Sequence, residues 1–273
     1  LVKTLPSVFD SNGLQVEQGS ALSADGTAIP YFMVHKKDMV WNGENPTLLY
    51  GYGGFEISML PSYSAAYGAA WLEQGGVYVV ANIRGGGEFG PQWHQAALKE
   101  KRQRAYDDFI AVAQDLINRQ VTSARHLGIR GGSNGGLLVG VMFTQRPDLF
   151  NAVVCEVPLL DMKRYNKLLA GASWMAEYGN PDIPEEWAFI RNYSPYQNLK
   201  PGVTYPLVYF TTTTRDDRVH PGHARKMAAK MESLGLSFYY FENTEGGHSA
   251  GSTNALRALS NALSFTYLHK QLK

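Results

Sequence analysis

From Leu48 onward, short apolar runs alternate with segments of helical spacing, and this alternation is what most constrains the fold. The runs are Leu48–Tyr52, Val77–Ile83, His126–Arg130, Ala152–Val157, Leu207–Thr212 and Phe238–Glu242. Strands interleaved with helices in this way require a mostly parallel sheet covered by helices on both faces, an α/β class. The clearest helix is Ala105–Arg119, where Tyr106, Phe109, Ile110, Ala113, Leu116 and Ile117 recur three and four residues apart. Gly135–Gln145, Pro221–Leu234 and Thr253–Lys270 are expected helices as well. Ahead of them, residues 16–36 have period two around Asp25-Gly26, which predicts an antiparallel hairpin. Asp161–Pro201 is rich in Tyr, Trp, Asn and Pro with no sustained period, and reads as an insertion over one end of the sheet. Ligands of open α/β sheets bind outside the carboxyl ends of the strands, so this insertion is placed to wall a pocket. A chain of 273 residues of this pattern is expected to form one domain, residues 1–273, without internal repeats.

Composition excludes several classes of partner. A formal net charge of +1 gives no basic excess for nucleic acid or an anionic membrane. The one basic cluster, Lys99 to Arg104, is interrupted by Glu100 and Gln103 and reads as a solvated helix entry. No apolar run approaches the roughly 18 residues of a membrane span, and the N-terminus lacks a signal-peptide core. The single cysteine, Cys155, lies in the apolar run Ala152-Val153-Val154-Cys155, where a thiol is buried and inert. One cysteine fits a reducing compartment, so a cytoplasmic location is expected, with the periplasm as the alternative. The chain begins at Leu1 rather than Met, which suggests a processed or excised segment.

Chemistry is concentrated at Gly131-Gly132-Ser133-Asn134-Gly135, a G-x-S-x-G between an apolar strand and an apolar helix. A serine at the tip of such a sharp turn needs small neighbours, because its backbone is strained and the adjoining segments approach closely. The N–H of Asn134 then faces a developing oxyanion. A serine nucleophile at neutral pH needs a base, and the base an orienting acid, in the chain order Ser, Asp, His for an α/β-hydrolase fold. Asp216 and Asp217 follow the apolar strand Leu207 to Phe210, and His248 follows the last strand in a Gly-rich loop. Ser133, Asp216 and His248 are therefore the expected nucleophile, acid and base.

The remaining histidines, His35, His94, His126, His220, His223 and His269, are expected at the surface or in packing roles. His220 and His223 stand three apart without a third ligand nearby, so they read as a solvated pair and no metal is expected. Gly85-Gly86-Gly87-Glu88-Phe89-Gly90 matches G-x-G-x-x-G, but no apolar helix follows to present its N-terminus to a pyrophosphate. It reads as a structural loop near the nucleophile, and no cofactor is expected.

Five segments together resemble the prolyl oligopeptidase family of serine peptidases: Leu49-Tyr50-Gly51-Tyr52-Gly53-Gly54-Phe55, Asn82 to Gly90, Gly131 to Gly136, Asp216-Asp217-Arg218-Val219 and Gly246-Gly247-His248. The resemblance implies that Asp216, the first of the pair, is the catalytic acid. It also implies that Tyr52 supplies a hydroxyl to the oxyanion hole beside the Asn134 N–H, and that Arg218 binds a substrate carbonyl. Trp174 matches the indole that stacks on a substrate proline, and Phe55, Leu159, Tyr178 and Val219 match the rest of the apolar wall. The related oligopeptidase B branch carries acids in this pocket for Lys and Arg, and Glu177 lies one place off that pattern. The large β-propeller that caps the family's active site has no counterpart here, and neither does the family's short N-terminal hydrolase segment. A propeller lost from the same polypeptide and a protein working without one are both open.

The resulting expectation is a serine oligopeptidase acting on short peptides, on the carboxyl side of proline, through an acyl-enzyme. An esterase or acylaminoacyl hydrolase uses the same machinery, as does an oligopeptidase cleaving after basic residues. A catalytically idle interaction domain is the reading of another class, and the presence of Ser133, Asp216 and His248 argues against it.

Overall fold

A computed structural model describes residues 6–249 and 253–273, and within them eight strands form one sheet in the order β1-β2-β4-β3-β5-β6-β7-β8. The strands are β1 (Leu14–Leu22), β2 (Ala28–Lys36), β3 (Thr47–Tyr50), β4 (Val77–Ala81), β5 (Leu127–Gly132), β6 (Ala152–Glu156), β7 (Leu207–Thr213) and β8 (Phe238–Asn243). β2 pairs antiparallel with β1 and β4, and all other pairings are parallel. The hairpin turns where expected: the Gly26 N–H donates to the Ser23 carbonyl, the Asp25 carboxylate accepts from the Thr27 N–H, and Gly26 has φ 81°. That left-handed backbone costs a residue with a Cβ and costs glycine little.

The apolar runs follow from burial on both faces of the sheet. In β6, Val153 and Cys155 face one core while Ala152 and Val154 face the other, so these four positions are apolar, and only the terminal Glu156 carries a charge. The first core holds the apolar sides of α1 (Gln103–Asn118), α2 (Asn134–Gln145) and α3 (Gly222–Ser233). The second holds Trp71 and the inner side of α4 (Asn254–Leu272), which presents Phe265, Leu268 and Leu272. Burial pushes the Cys155 thiol well above its usual pKa, as fits a thiol with no chemical role.

Two surface readings are corrected. The Lys99 to Arg104 cluster is not a solvated entry throughout, because Arg102 is 1% exposed. His223 is likewise buried rather than solvated, and its Nδ1 accepts the N–H groups of Leu160 at 3.2 Å and Asp161 at 3.1 Å. A ring nitrogen that accepts two N–H groups carries no proton. Burial, partly offset by Asp161, brings the His223 pKa from 6.5 down to about 4.

The consequence is a pH-dependent stability with a definite sign. Between pH 6.5 and 4 the unfolded chain binds a proton at His223 that the folded chain refuses. Stability present above pH 6.5 is therefore lost as pH falls through this window, up to about 3 kcal/mol. Melting midpoints measured across it should fall more steeply for the parent than for His223→Gln. Equal slopes would contradict the assignment.

Candidate active site

Ser133 sits between β5 and α2 with φ 58° and ψ −117°, a left-handed conformation for a residue with a Cβ. Its N–H donates to the Glu156 carbonyl at 2.9 Å and its carbonyl accepts from the Leu137 N–H at 3.0 Å, so both sides of the strained turn are tied. The flanking glycines are there for space: a Cβ on Gly131 would lie 2.2 Å from the Gly135 carbonyl oxygen, and one on Gly136 would lie 2.7 Å from that of Glu156.

The acid and base come from the next carboxyl ends of the sheet. Asp216, beyond β7, is 5% exposed, and its Oδ1 accepts the N–H groups of Arg218 at 2.9 Å and Val219 at 2.8 Å. His248, beyond β8, places Nδ1 2.8 Å from Asp216 Oδ2 and 3.0 Å from Oδ1. The two loops are joined by bonds from Thr214 N–H to the Asn243 carbonyl and from Thr213 Oγ1 to the Gly247 carbonyl. Among the described residues Asp217 accepts only the backbone N–H of His248, at 3.3 Å. No hydrogen bond joins Ser133 to His248 among the described residues; such links are often long without substrate and tighten with it.

A cavity of about 350 Å³ opens at Ser133, lined by Tyr52, Phe55, Ile57, Leu159, Ser173, Trp174, Tyr178 and Arg218. Trp174 and Tyr178 come from the expected insertion, which here folds into short helical turns at Leu169–Trp174 and Met175–Tyr178. Tyr52 follows β3 and lines the same cavity as Ser133, and burial raises its phenol pKa above the usual value, keeping it a donor at neutral pH. The glycine-rich loop after β4 packs on this segment: a Cβ on Gly85 would lie 2.3 Å from the Gly53 carbonyl oxygen. That is the structural role expected of it. A larger cavity of about 1060 Å³, lined by Phe32, Val34, Tyr50, Tyr78 and Arg130 among others, includes none of Ser133, Asp216 and His248.

Glu177 does not reach into the small cavity as a free acid. It is 4% exposed, and its carboxylate accepts from the Phe55 N–H at 3.0 Å, from Arg102 Nη1 at 2.8 Å, and meets His94 Nε2 at 2.8 Å. Its charge is spent inside the protein. This argues against Glu177 as a receptor for a basic side chain, the alternative raised by its nearness to the oligopeptidase B pattern.

A family model described as "Prolyl oligopeptidase family" matches residues 61–273. The chain belongs to the prolyl oligopeptidase family. Its α/β-hydrolase fold is shared with a post-proline cleaving enzyme from Rickettsia typhi, with TM-score 0.94 and 46% identity over 99% of this chain and 40% of that one. An uncharacterized peptidase of Sinorhizobium fredii is 60% identical over 99% of this chain, and a prolyl endopeptidase of Elizabethkingia meningoseptica is 40% identical over 97%. The chain spans only 37% and 38% of the length of these two relatives.

Of the residues expected in a family member, Ser133, Tyr52, Phe55, Leu159, Trp174, Tyr178 and Arg218 meet around one cavity, and Asp216 and His248 meet beside it. Asn134 follows Ser133, and its side chain is 1% exposed and turned into the protein. Val219 does not line the cavity: it is 2% exposed, and its N–H bonds Asp216. Arg218 makes no ion pair with Asp217 among the described residues. Sequence reasoning missed Ile57 and Ser173 in the lining, and Arg102 and His94 as partners of Glu177. No group of three or more His, Cys, Asp or Glu able to hold a metal occurs among the described residues.

The elbow makes a stability prediction with its own control. Gly131→Ala forces the added methyl onto a backbone oxygen and should cost about 1–3 kcal/mol or more. Gly132→Ala, whose Cβ would meet nothing closer than 3.6 Å, should be nearly neutral. Denaturant unfolding that ranks the two equally would contradict the close-packed elbow.

Proposed function

We propose that this chain is the catalytic part of a serine oligopeptidase that cleaves short peptides after proline through an acyl-enzyme. The observation that carries the proposal is the cavity at Ser133. Trp174, Phe55, Tyr178, Leu159 and Ile57 give it an apolar and aromatic side, and Glu177, in the turn that carries Trp174 and Tyr178, is already paired. A proline ring has no charge to satisfy and fits such a wall, whereas a Lys or Arg side chain would be desolvated there without a partner.

In this reading Ser133 Oγ attacks the carbonyl carbon of the proline itself and gives its proton to His248 Nε2. Asp216, bonded to Nδ1, holds the working tautomer and stabilises the imidazolium. The Tyr52 hydroxyl and the Asn134 N–H receive the oxyanion, and Arg218 holds a carbonyl of the peptide. His248 then protonates the leaving amine, and water, deprotonated by the same ring, releases the acid product. The names of the Rickettsia typhi and Elizabethkingia proteins support the choice of proline. The greater length of the relatives leaves room for the propeller that family resemblance implies, and we take the described chain to be one α/β unit of that assembly. No helix among the described residues is long and apolar enough to cross a membrane.

Four substitutions test the roles. Ser133→Ala should abolish both turnover and labelling by a fluorophosphonate probe while leaving the melting midpoint in place. Asp216→Asn should lower kcat roughly 10³- to 10⁴-fold and Asp217→Asn far less, since Asp217 meets the His248 backbone N–H and Asp216 meets its ring. Trp174→Ala should cost roughly 2–4 kcal/mol in kcat/KM on a proline peptide and less on the alanine analogue. Activity of Ser133→Ala within tenfold of the parent, or the reverse ranking of the aspartates, would refute the assignment.

A further inference from the structure

One buried cation beside the site has no part in the chemistry above. Arg102 precedes α1, and its guanidinium lies between the rings of Tyr106 and Tyr178, 5.8 and 5.2 Å from their centroids. Nη1 donates to Glu177 Oε1 at 2.8 Å and Nη2 to Asn134 Oδ1 at 2.6 Å. Each partner continues into the site. Asn134 Oδ1 also accepts the Tyr178 hydroxyl at 2.7 Å, and its Nδ2 donates to the Tyr52 carbonyl at 2.6 Å. Glu177 accepts the Phe55 N–H at 3.0 Å.

Arg102 is thus one residue removed from both proposed oxyanion donors and from the Phe55 wall. Both segments it reaches are strained: Ser133 has φ 58°, and Phe55 and Glu56 each have φ 57°. Non-glycine residues persist in that region only where the surroundings over-determine them, and such strain collects at functional sites. Buried ion pairs are poor sources of net stability, because desolvation offsets the attraction. What the planar fork supplies is direction, two bonds at a fixed angle that no ammonium reproduces.

We propose that Arg102 is a positioning residue for catalysis: through Asn134 and Glu177 it sets the Asn134 N–H and the Tyr52–Phe55 segment in register around the oxyanion. This rests on the peptidase reading of the site. The fork joins the turn after β5, through Asn134, to the Glu177 turn that holds the Phe55 N–H, a link that the pairing of β3 with β5 does not make. Loss of the fork lets them relax separately. The oxyanion donors then part while the aromatic wall persists, so the effect falls on kcat rather than KM.

The test compares the parent chain with Arg102→Met and Arg102→Lys on a proline p-nitroanilide, well below each melting midpoint. Arg102→Met is expected to lower kcat roughly 30- to 300-fold with KM within about threefold. Arg102→Lys, able to pair with Glu177 or Asn134 but not both, should fall about 10-fold. A folded Arg102→Met with kcat within about threefold of the parent, however low its midpoint, makes the residue purely structural and overturns the inference. If Arg102→Met does not fold, a kcat for Arg102→Lys within about threefold of the parent overturns it equally. A parent chain without turnover refutes the peptidase reading and this inference together; an active parent with unaffected variants refutes this inference alone.

Discussion

The close approach of Gly131 to Gly135 is the constraint on which the site depends. A methyl on Gly131 would sit 2.2 Å from a backbone oxygen, so β5 can turn into α2 this sharply only without side chains on its inner corner. The turn leaves Ser133 at φ 58° with its hydroxyl raised above the sheet edge and the Asn134 N–H beside it. Because the central strands run parallel, the loops carrying Tyr52, Ser133, Asp216 and His248 emerge at the same edge. Residues more than a hundred positions apart meet without any segment having to cross the core.

Electrostatics around the cavity follow from burial. Asp216 is nearly inaccessible, and its carboxyl group accepts two backbone N–H groups and meets the His248 ring, an arrangement that fixes the ring's orientation. Glu177 is equally buried, and its three partners serve packing of the wall rather than contact with a ligand. Two carboxylates in the same region therefore have separate duties. One is turned toward the base, and the other is turned away from the cavity and holds its rim.

The fold was legible because its signals are local. Period two around Asp25-Gly26, apolar runs buried on both faces and three- to four-residue spacing in α1 each record what one element packs against. Asp216 and His248 were legible because loops that follow strands of a parallel sheet share an edge. Arg102 was not, because its partners Asn134 and Glu177 lie 32 and 75 residues away and its neighbours Lys99, Glu100 and Gln103 look solvated. The partners of Glu177 were hidden for the same reason: an acid among aromatics looks available until the cation that neutralises it is found. Val219 was placed in the wall by resemblance, but its side chain turns into the core and only its N–H serves the site.

The central claim is that the aromatic side of the cavity at Ser133 selects proline, because Trp174, Phe55 and Tyr178 offer apolar contact and Glu177 is already paired. The most direct measurement is kcat/KM for chromogenic peptides that differ only in the residue before the cleaved bond, with proline, alanine and arginine compared beside a simple ester. The account predicts proline first, with arginine lowest by about 100-fold or more, since a charged side chain finds no partner in the cavity. Arginine cleaved faster than proline would contradict it and would mean that Glu177 leaves Arg102 when substrate binds.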